Sequence, residues 1–295
     1  MTQPINTLIL AVDGGGTRCR LAAIEGEVIS RVEVGAANVS TNFEAACAEL
    51  LGGLQVLAAE SGREVSTLTR APTYMGLAGI TGEAIARKLA QALPFDRIKI
   101  EDDRAAALRG ALGEGEGFVA HCGTGSFLAS QLSGGRRFSG GWGPVLGDQA
   151  SAQWVGRRAL SETLECVDGL NGSSVMATQL LSRFGGPAGI VQVAAKMTPY
   201  ELGSLAPVVT EFSDQGDELA KKILQDGADH LAGRLTKMGW VAGLSICLTG
   251  GIGPRFGPYL PTIMQSELVE PAGDPLSGAI ALVREFLEEI ESEHR

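Results

Sequence analysis

Three short stretches place residues in the arrangement that phosphate chemistry uses. The first, Leu8 to Leu21, reads LILAVDGGGTRCRL: an apolar run ends in one carboxylate, Asp13, and Gly14, Gly15, Gly16 and Thr17 follow. Glycine has no Cβ, so backbone N–H groups in such a turn can come close to an anion and take up positive φ. A carboxylate where a strand runs out is a natural holder of hydrated Mg²⁺. A plain glycine hairpin would read the same way. The second stretch, Phe118 to Leu132, repeats the pattern as FVAHCGTGSFLASQL, with Gly123, Thr124, Gly125 and Ser126 in the turn. Counted along the two turns, Asp13 falls opposite Cys122, 109 residues later. The third is LTGG, in which Gly250 and Gly251 suit close contact with a flat ligand such as adenine, or an ordinary strand-to-helix turn.

Two acids and one loop add further chemistry. Asp102 and Asp103 follow the strand-like run RIKIE, and AAALRGAL then begins a helix. Carboxylates there lie near the positive end of the helix dipole, which favours their ionised form. One of them is expected to cap the helix. Asp103, the nearer to the helix, is expected to stay free as a proton acceptor. The loop GGWGPVLGD holds one ring, Trp142, and one carboxylate, Asp148, among glycines that include Gly141 and Gly143. That combination suits sugar recognition, although a core ring and a helix cap would also account for it. Asn38, in a loop of small residues, reads as a turn residue.

The elements that must position these groups follow from periodicity. Both hairpins are followed by a third strand-like run, Val28 to Val34 and Arg136 to Ser139. A two-fold repeat of such units points to two similar α/β lobes facing each other across a cleft. Thr41 and Glu44 read as a capping box for a helix carrying Phe43, Cys47, Leu50, Leu51 and Leu54. GEGEG at 113–117 is the clearest linker. The expected lobes are residues 1–113 and 114–295, the second with a helical insertion over 168–213 and a C-terminal helix free to pack back on the first. A long helix is expected over Asp214 to Trp240, and Asp274-Pro275 opens the last one.

Composition bounds the rest. Of 295 residues, 44% are hydrophobic and 20% charged, as in a globular chain of two ordinary domains. A net charge of −10 argues against nucleic acid or an anionic membrane surface. The cysteines, 5 in number, show no C-x-x-C spacing, which fits a reducing cytoplasm. MTQPINTLIL has no basic segment before its apolar run, so no signal peptide is expected, and no apolar stretch is long enough to span a bilayer.

VDGGGT, the strand-end Asp103, HCGTGS, GGWGPVLGD and LTGGIG occur in that order along the whole chain. The combination resembles the BadF/BadG-type ATPases of the actin, hexokinase and Hsp70 superfamily, and more narrowly the N-acetylglucosamine kinases. The resemblance implies two ribonuclease H-like lobes, each of the βββαβαβα actin-like ATPase type, with ATP and Mg²⁺ in the central cleft. It implies transfer of the γ-phosphate to the 6-hydroxyl of an amino sugar by a cytoplasmic homodimer. It assigns phosphate contacts to Asp13, Gly15, Gly16, Thr17 and Thr124, the metal to Asp13, and the nucleoside to Gly250 and Gly251. It assigns catalysis to Asp103, and the sugar to Asn38, Asp103, Gly141, Trp142, Gly143 and Asp148. Where the family often has G-D-E-G-S, this chain has Gly147-Asp148-Gln149-Ala150-Ser151, which leaves N-acetylglucosamine and glucosamine both open.

Two rival readings stay in view. An activator-type ATPase of 2-hydroxyacyl-CoA dehydratases would carry an iron–sulfur cluster on cysteines, with Cys122 and Cys166 as the candidates. A sugar-sensing regulator would need a DNA-binding segment, and none is expected before the first strand.

Overall fold

Both glycine stretches fold as tight hairpins in the computed structural model, which describes residues 7–293. Part of the N-terminal stretch read for a signal peptide lies outside the described residues. The first hairpin joins β1 (Ile9–Gly14) to β2 (Cys19–Glu25), and β3 (Val28–Val34) continues the antiparallel meander. β4 (Thr73–Leu77) and β5 (Ile98–Asp102) then add in parallel on the other side of β1, giving the order β3-β2-β1-β4-β5. β1 sits at the centre, and Ile9 to Val12 are all buried, which is why this strand reads as an unbroken apolar run.

The second sheet repeats the scheme. β6 (Gly117–Cys122), β7 (Ser126–Leu132) and β8 (Gly135–Gly140) form the meander. β9 (Ile246–Thr249) and the short β10 (Leu268–Val269) pair in parallel beside β6, in the order β10-β9-β6-β7-β8. Each sheet has five strands, as the repeat requires.

The chain divides into two units, Met1–Glu114 with Ala272–Arg295, and Gly115–Pro271. The lobe expected over 114–295 is therefore corrected at its end, because the last helix, Pro275–Glu293, belongs to the first unit. Its stripe of Leu276, Ile280, Val283 and Leu287 covers Ile9, Ala11, Ala22, Ile24 and Tyr74 on one face of the first sheet. It also packs on helix Asp103–Leu112 at backbone contact: a Cβ on Gly278 would stand 1.9 Å from the Ala106 carbonyl oxygen. Helix Phe43–Ser61 lies in the core on the sheet's other face, with Leu50, Leu54 and Leu57 buried beside Leu10, Val12 and Leu21.

Two local expectations shift. The Phe43–Ser61 helix is capped by Asn42, whose side chain accepts from Ala45 N at 3.0 Å, and Thr41 N is taken up by Asn38. The helix expected over 214–240 is broken at Gly216, with φ +91°, into Ala206–Asp214 and Glu218–Lys237. The second starts at Asp217, which accepts from Leu219 N at 3.0 Å and Ala220 N at 3.1 Å. The 168–213 segment is helical, with Val175–Phe184, Pro187–Ala194 and Pro199–Gly203 before Ala206–Asp214. Among the described residues no helix is long and apolar enough to cross a membrane.

Candidate active site

In the first unit the chemistry collects at the carboxyl ends of the parallel strands, where open α/β sheets bind ligands. Asp13 on β1 lies opposite Gly76 on β4, and Asp102 on β5 lies opposite Leu77. Gly15 N donates to the Arg18 carbonyl at 2.9 Å and closes the first turn. Gly16 and Thr17 are exposed, and among the described residues their N–H groups donate to nothing. Adjacent uncommitted N–H groups make an anion-binding concavity. Asn38 lies alongside. Its Oδ1 accepts from Ser40 N at 3.1 Å, Ser40 Oγ at 2.9 Å and Thr41 N at 3.2 Å, the turn role that its sequence suggests. Its Nδ2 would stand 4.0 Å from a Cβ on Gly16.

Asp13 is half committed. Arg20 donates to its Oδ2 from Nε at 3.1 Å and Nη2 at 2.6 Å, and reaches Asp274 Oδ2 through Nη1 at 2.7 Å. Burial raises the Asp13 carboxyl, and the Arg20 guanidinium pulls it back. Oδ1 carries no bond among the described residues, and no group of three or more His, Cys, Asp or Glu there could cage a metal. Mg²⁺ needs no cage. It keeps several waters and takes one or two carboxylates with phosphate oxygens. A carboxylate oxygen beside open N–H groups fits that requirement.

Asp102 and Asp103 divide the work. Asp102 is the helix cap, accepting from Arg104 N at 3.0 Å and Arg104 Nε at 2.5 Å. Asp103 is the first helical residue. The helix dipole does not dominate its ionisation as expected. Burial, then the charges of Asp102 and Asp13, push its carboxyl up to about 7. A carboxyl poised near neutrality is what a general base requires.

In the second unit Gly123 N donates to the Gly125 carbonyl at 2.9 Å, and Thr124, with its N–H uncommitted among the described residues, is exposed. The Gly250 turn packs against it: Gly250 has φ +82°, and a Cβ there would stand 2.3 Å from the Cys122 carbonyl oxygen. Gly251 is exposed, with no atom within 4 Å of where its Cβ would be. The loop from Gly140 to Ala150 borders a cavity of about 70 Å³ lined by Ser126, Ser139, Trp142, Asp148, His230 and Arg234. Gly141 has φ +75° and donates to the Ser126 carbonyl at 3.0 Å. Gly143, with φ +82°, begins a four-residue helix. Trp142 is 73% exposed and is no core ring. Asp148 is no cap either: that role falls to Ser151, which accepts from Trp154 N at 3.2 Å. Asp148 is buried against the second turn, and its Oδ2 accepts from Gln153 Nε2 at 2.9 Å. Ala150 holds φ +64°, a conformation that favours the glycine of the G-D-E-G-S pattern.

The register corrects the pairing of the two turns. The first hairpin closes on Gly14 and Cys19, the second on Cys122 and Ser126, so the second turn is one residue shorter. The counterpart of Asp13 is therefore His121, each one residue before its hairpin closes and each half-buried. In a pleated strand a one-residue slip moves a side chain to the other face. Counting back from the strand ends, rather than along the glycines, finds it. Cys122 is buried in β6, its thiol pushed up to about 12, and Cys166 donates to the Gly172 carbonyl at 3.3 Å. All five cysteines are free, and neither of these two is a ready thiolate ligand for a cluster.

The sequence profile of the BadF/BadG/BcrA/BcrD ATPase family matches residues 10–270. The chain belongs to that family. As a BadF/BadG-type ATPase it uses ATP. It is 28% identical over 277 residues to the glucosamine kinase GspK of Vibrio cholerae, covering 92% of this chain and 94% of that one. It is 25% identical over 236 residues to the N-acetylmuramic acid/N-acetylglucosamine kinase of Clostridium acetobutylicum, covering 76% of each. A crystal structure of a candidate N-acetylglucosamine kinase from Chromobacterium violaceum matches with TM-score 0.82 at 28% identity, covering 94% of this ATPase and 99% of that chain. The fold extends to a ROK family glucokinase from Streptomyces griseus, with TM-score 0.56 at 17% identity.

Proposed function

We propose that this protein is an ATP-dependent amino-sugar kinase that phosphorylates the 6-hydroxyl of N-acetylglucosamine. The observation that carries the reading is Asp103, a carboxyl held near neutrality at the strand ends while its neighbour Asp102 does the capping. The names of the relatives from Vibrio cholerae and Clostridium acetobutylicum support an amino sugar as acceptor. The first of them keeps glucosamine as the second reading.

In this reading Asp103 orients the 6-hydroxyl and accepts its proton as that oxygen bonds to the γ-phosphorus and the bond to the β-phosphate oxygen breaks. Phosphoryl transfer is mostly positioning and charge stabilisation. Gly15, Gly16, Thr17 and Thr124 hold phosphate oxygens, and Gly250 and Gly251 border the nucleoside. Asn38, Gly141, Trp142, Gly143 and Asp148 hold the sugar. Asp13 would hold Mg²⁺, which supplies charge neutralisation on the phosphates when bound. The net charge of −10 supports a small-molecule acceptor over nucleic acid. The reading is completed by a cytoplasmic homodimer.

The test is ATP consumption by the purified protein with N-acetylglucosamine, glucosamine, N-acetylmuramic acid and glucose, with and without Mg²⁺. Turnover should be highest with N-acetylglucosamine and depend on the metal. Preference for glucosamine would select the second reading, and no turnover with any amino sugar would defeat both.

A further inference from the structure

The second unit holds a histidine that the reaction as written leaves unused. His121 occupies in β6 the position that Asp13 holds in β1. Its ring stacks on Phe127, with centroids 5.0 Å apart and planes 21° from parallel. Its Nδ1 lies 3.1 Å from Thr249 Oγ1, on the strand that leads into the Gly250 turn. Its Nε2 would stand 3.1 Å from a Cβ on Gly123, so the ring tip lies against the second glycine turn. The ring is thus fixed from two sides, with its far nitrogen at the turn.

The contact with Thr249 is compatible with either tautomer of the ring. Thr249 Oγ1 has no other partner among the described residues, so its hydrogen is available to Nδ1. With Thr249 as the donor, the ring proton sits on Nε2, the nitrogen at the turn. Burial pushes the imidazole down to about 4, which keeps it neutral, a donor that brings no charge of its own. The neighbouring N–H groups of Thr124 and Gly125 also donate to nothing among the described residues.

We propose that His121 is a nucleotide-binding residue that donates from Nε2 to a phosphate oxygen held at the Gly123–Gly125 turn, with Thr249 as the positioning residue that fixes its tautomer. The inference rests on ATP binding at the glycine turns, and its test separates the two. Full-length wild-type, His121→Phe, His121→Asn and Thr249→Val proteins are titrated calorimetrically with ATP and with adenosine. Phenylalanine keeps the stack on Phe127 and removes both nitrogens, whereas asparagine keeps a donor. His121→Phe should weaken ATP about 10–100-fold, the usual range for a hydrogen bond to a charged group, and leave adenosine within about 2-fold. His121→Asn should recover part of the loss. Thr249→Val, which keeps the ring but frees it, should weaken ATP several-fold and spare adenosine, and this pair of affinities decides the matter if His121→Phe fails to fold. Unchanged ATP affinity in the folded variants overturns the inference alone. So does an equal loss for adenosine, which would mark a structural role. A wild-type protein that does not bind ATP overturns the kinase reading along with it.

Discussion

Asp102 and Asp103 are neighbours whose environments drive them to opposite uses: Asp102 is tied to Arg104, and its charge helps hold a proton on Asp103. Asp102→Asn preserves a capping side chain but removes that charge, which raises the Asp103 carboxyl. The change favours ionised Asp103. The wild-type rate should fall below a pH of about 7, as Asp103 takes up its proton, and in Asp102→Asn that acidic limb should move to lower pH. A kcat profile from pH 5 to 9 checks the direction, and an unmoved limb would remove Asp103 as its origin.

Asp103→Asn should lower turnover on the order of 10²–10⁴-fold, the range of general-base contributions, with ATP affinity nearly unchanged. Its effect on stability has the opposite sign. The folded carboxyl titrates at about 7 against an unfolded value of 3.8. Stability from this group is therefore complete below the unfolded value and is lost as pH rises to the folded one. A neutral amide escapes that loss. Melting at pH 8 should rise by about 2–4 °C for each kcal/mol recovered, with a smaller gain at pH 5. A variant that melts lower at pH 8 and keeps its turnover would show that Asp103 serves the helix.

Gly250 and Gly251 are adjacent and should respond differently. Alanine at 250 meets both positive φ and the Cys122 carbonyl, so Gly250→Ala should cost about 2 kcal/mol or more. Gly251→Ala has open space around it and should melt within about 1 kcal/mol of wild type, while raising KM for ATP. Thermal denaturation of both, with ATP kinetics on the second, tests the nucleoside assignment separately from the fold.

Trp142, being 73% exposed, contributes little to the core. Trp142→Ala should leave the melting temperature almost unchanged and raise KM for the sugar on the order of 10-fold, the scale of losing one aromatic contact. KM for ATP should hold. An equal rise in both would place the ring elsewhere than on the sugar.

The strands, their order of appearance and the glycine turns were legible because apolar runs and glycines are local signals. Asp13 and Asp103 could be placed near the ends of their elements for the same reason, and Asn38 read as the turn residue it is. What stayed hidden depended on distant parts of the chain. Counting glycines aligned the turns but not the pleats, so His121 was passed over for Cys122. The ionisation of Asp103 is set by burial, which overrides the local helix dipole. Arg20 reads as an ordinary strand residue until Asp274, 254 residues later, completes its pairing. Gly216 passed as a helix position because the periodicity on both sides of it is helical.

The return of helix Pro275–Glu293 to the first unit has a consequence for biosynthesis. A ribosome delivers all of the second unit, through Pro271, before the first has its last helix. Until then Ile9, Ala11, Ala22, Ile24 and Tyr74 lack the apolar cover that Leu276, Ile280, Val283 and Leu287 provide. The half of the protein that begins first is thus the last to be completed, and a nascent chain stalled or cleaved ahead of Ala272 would leave that sheet face open to aggregation and to quality-control proteases.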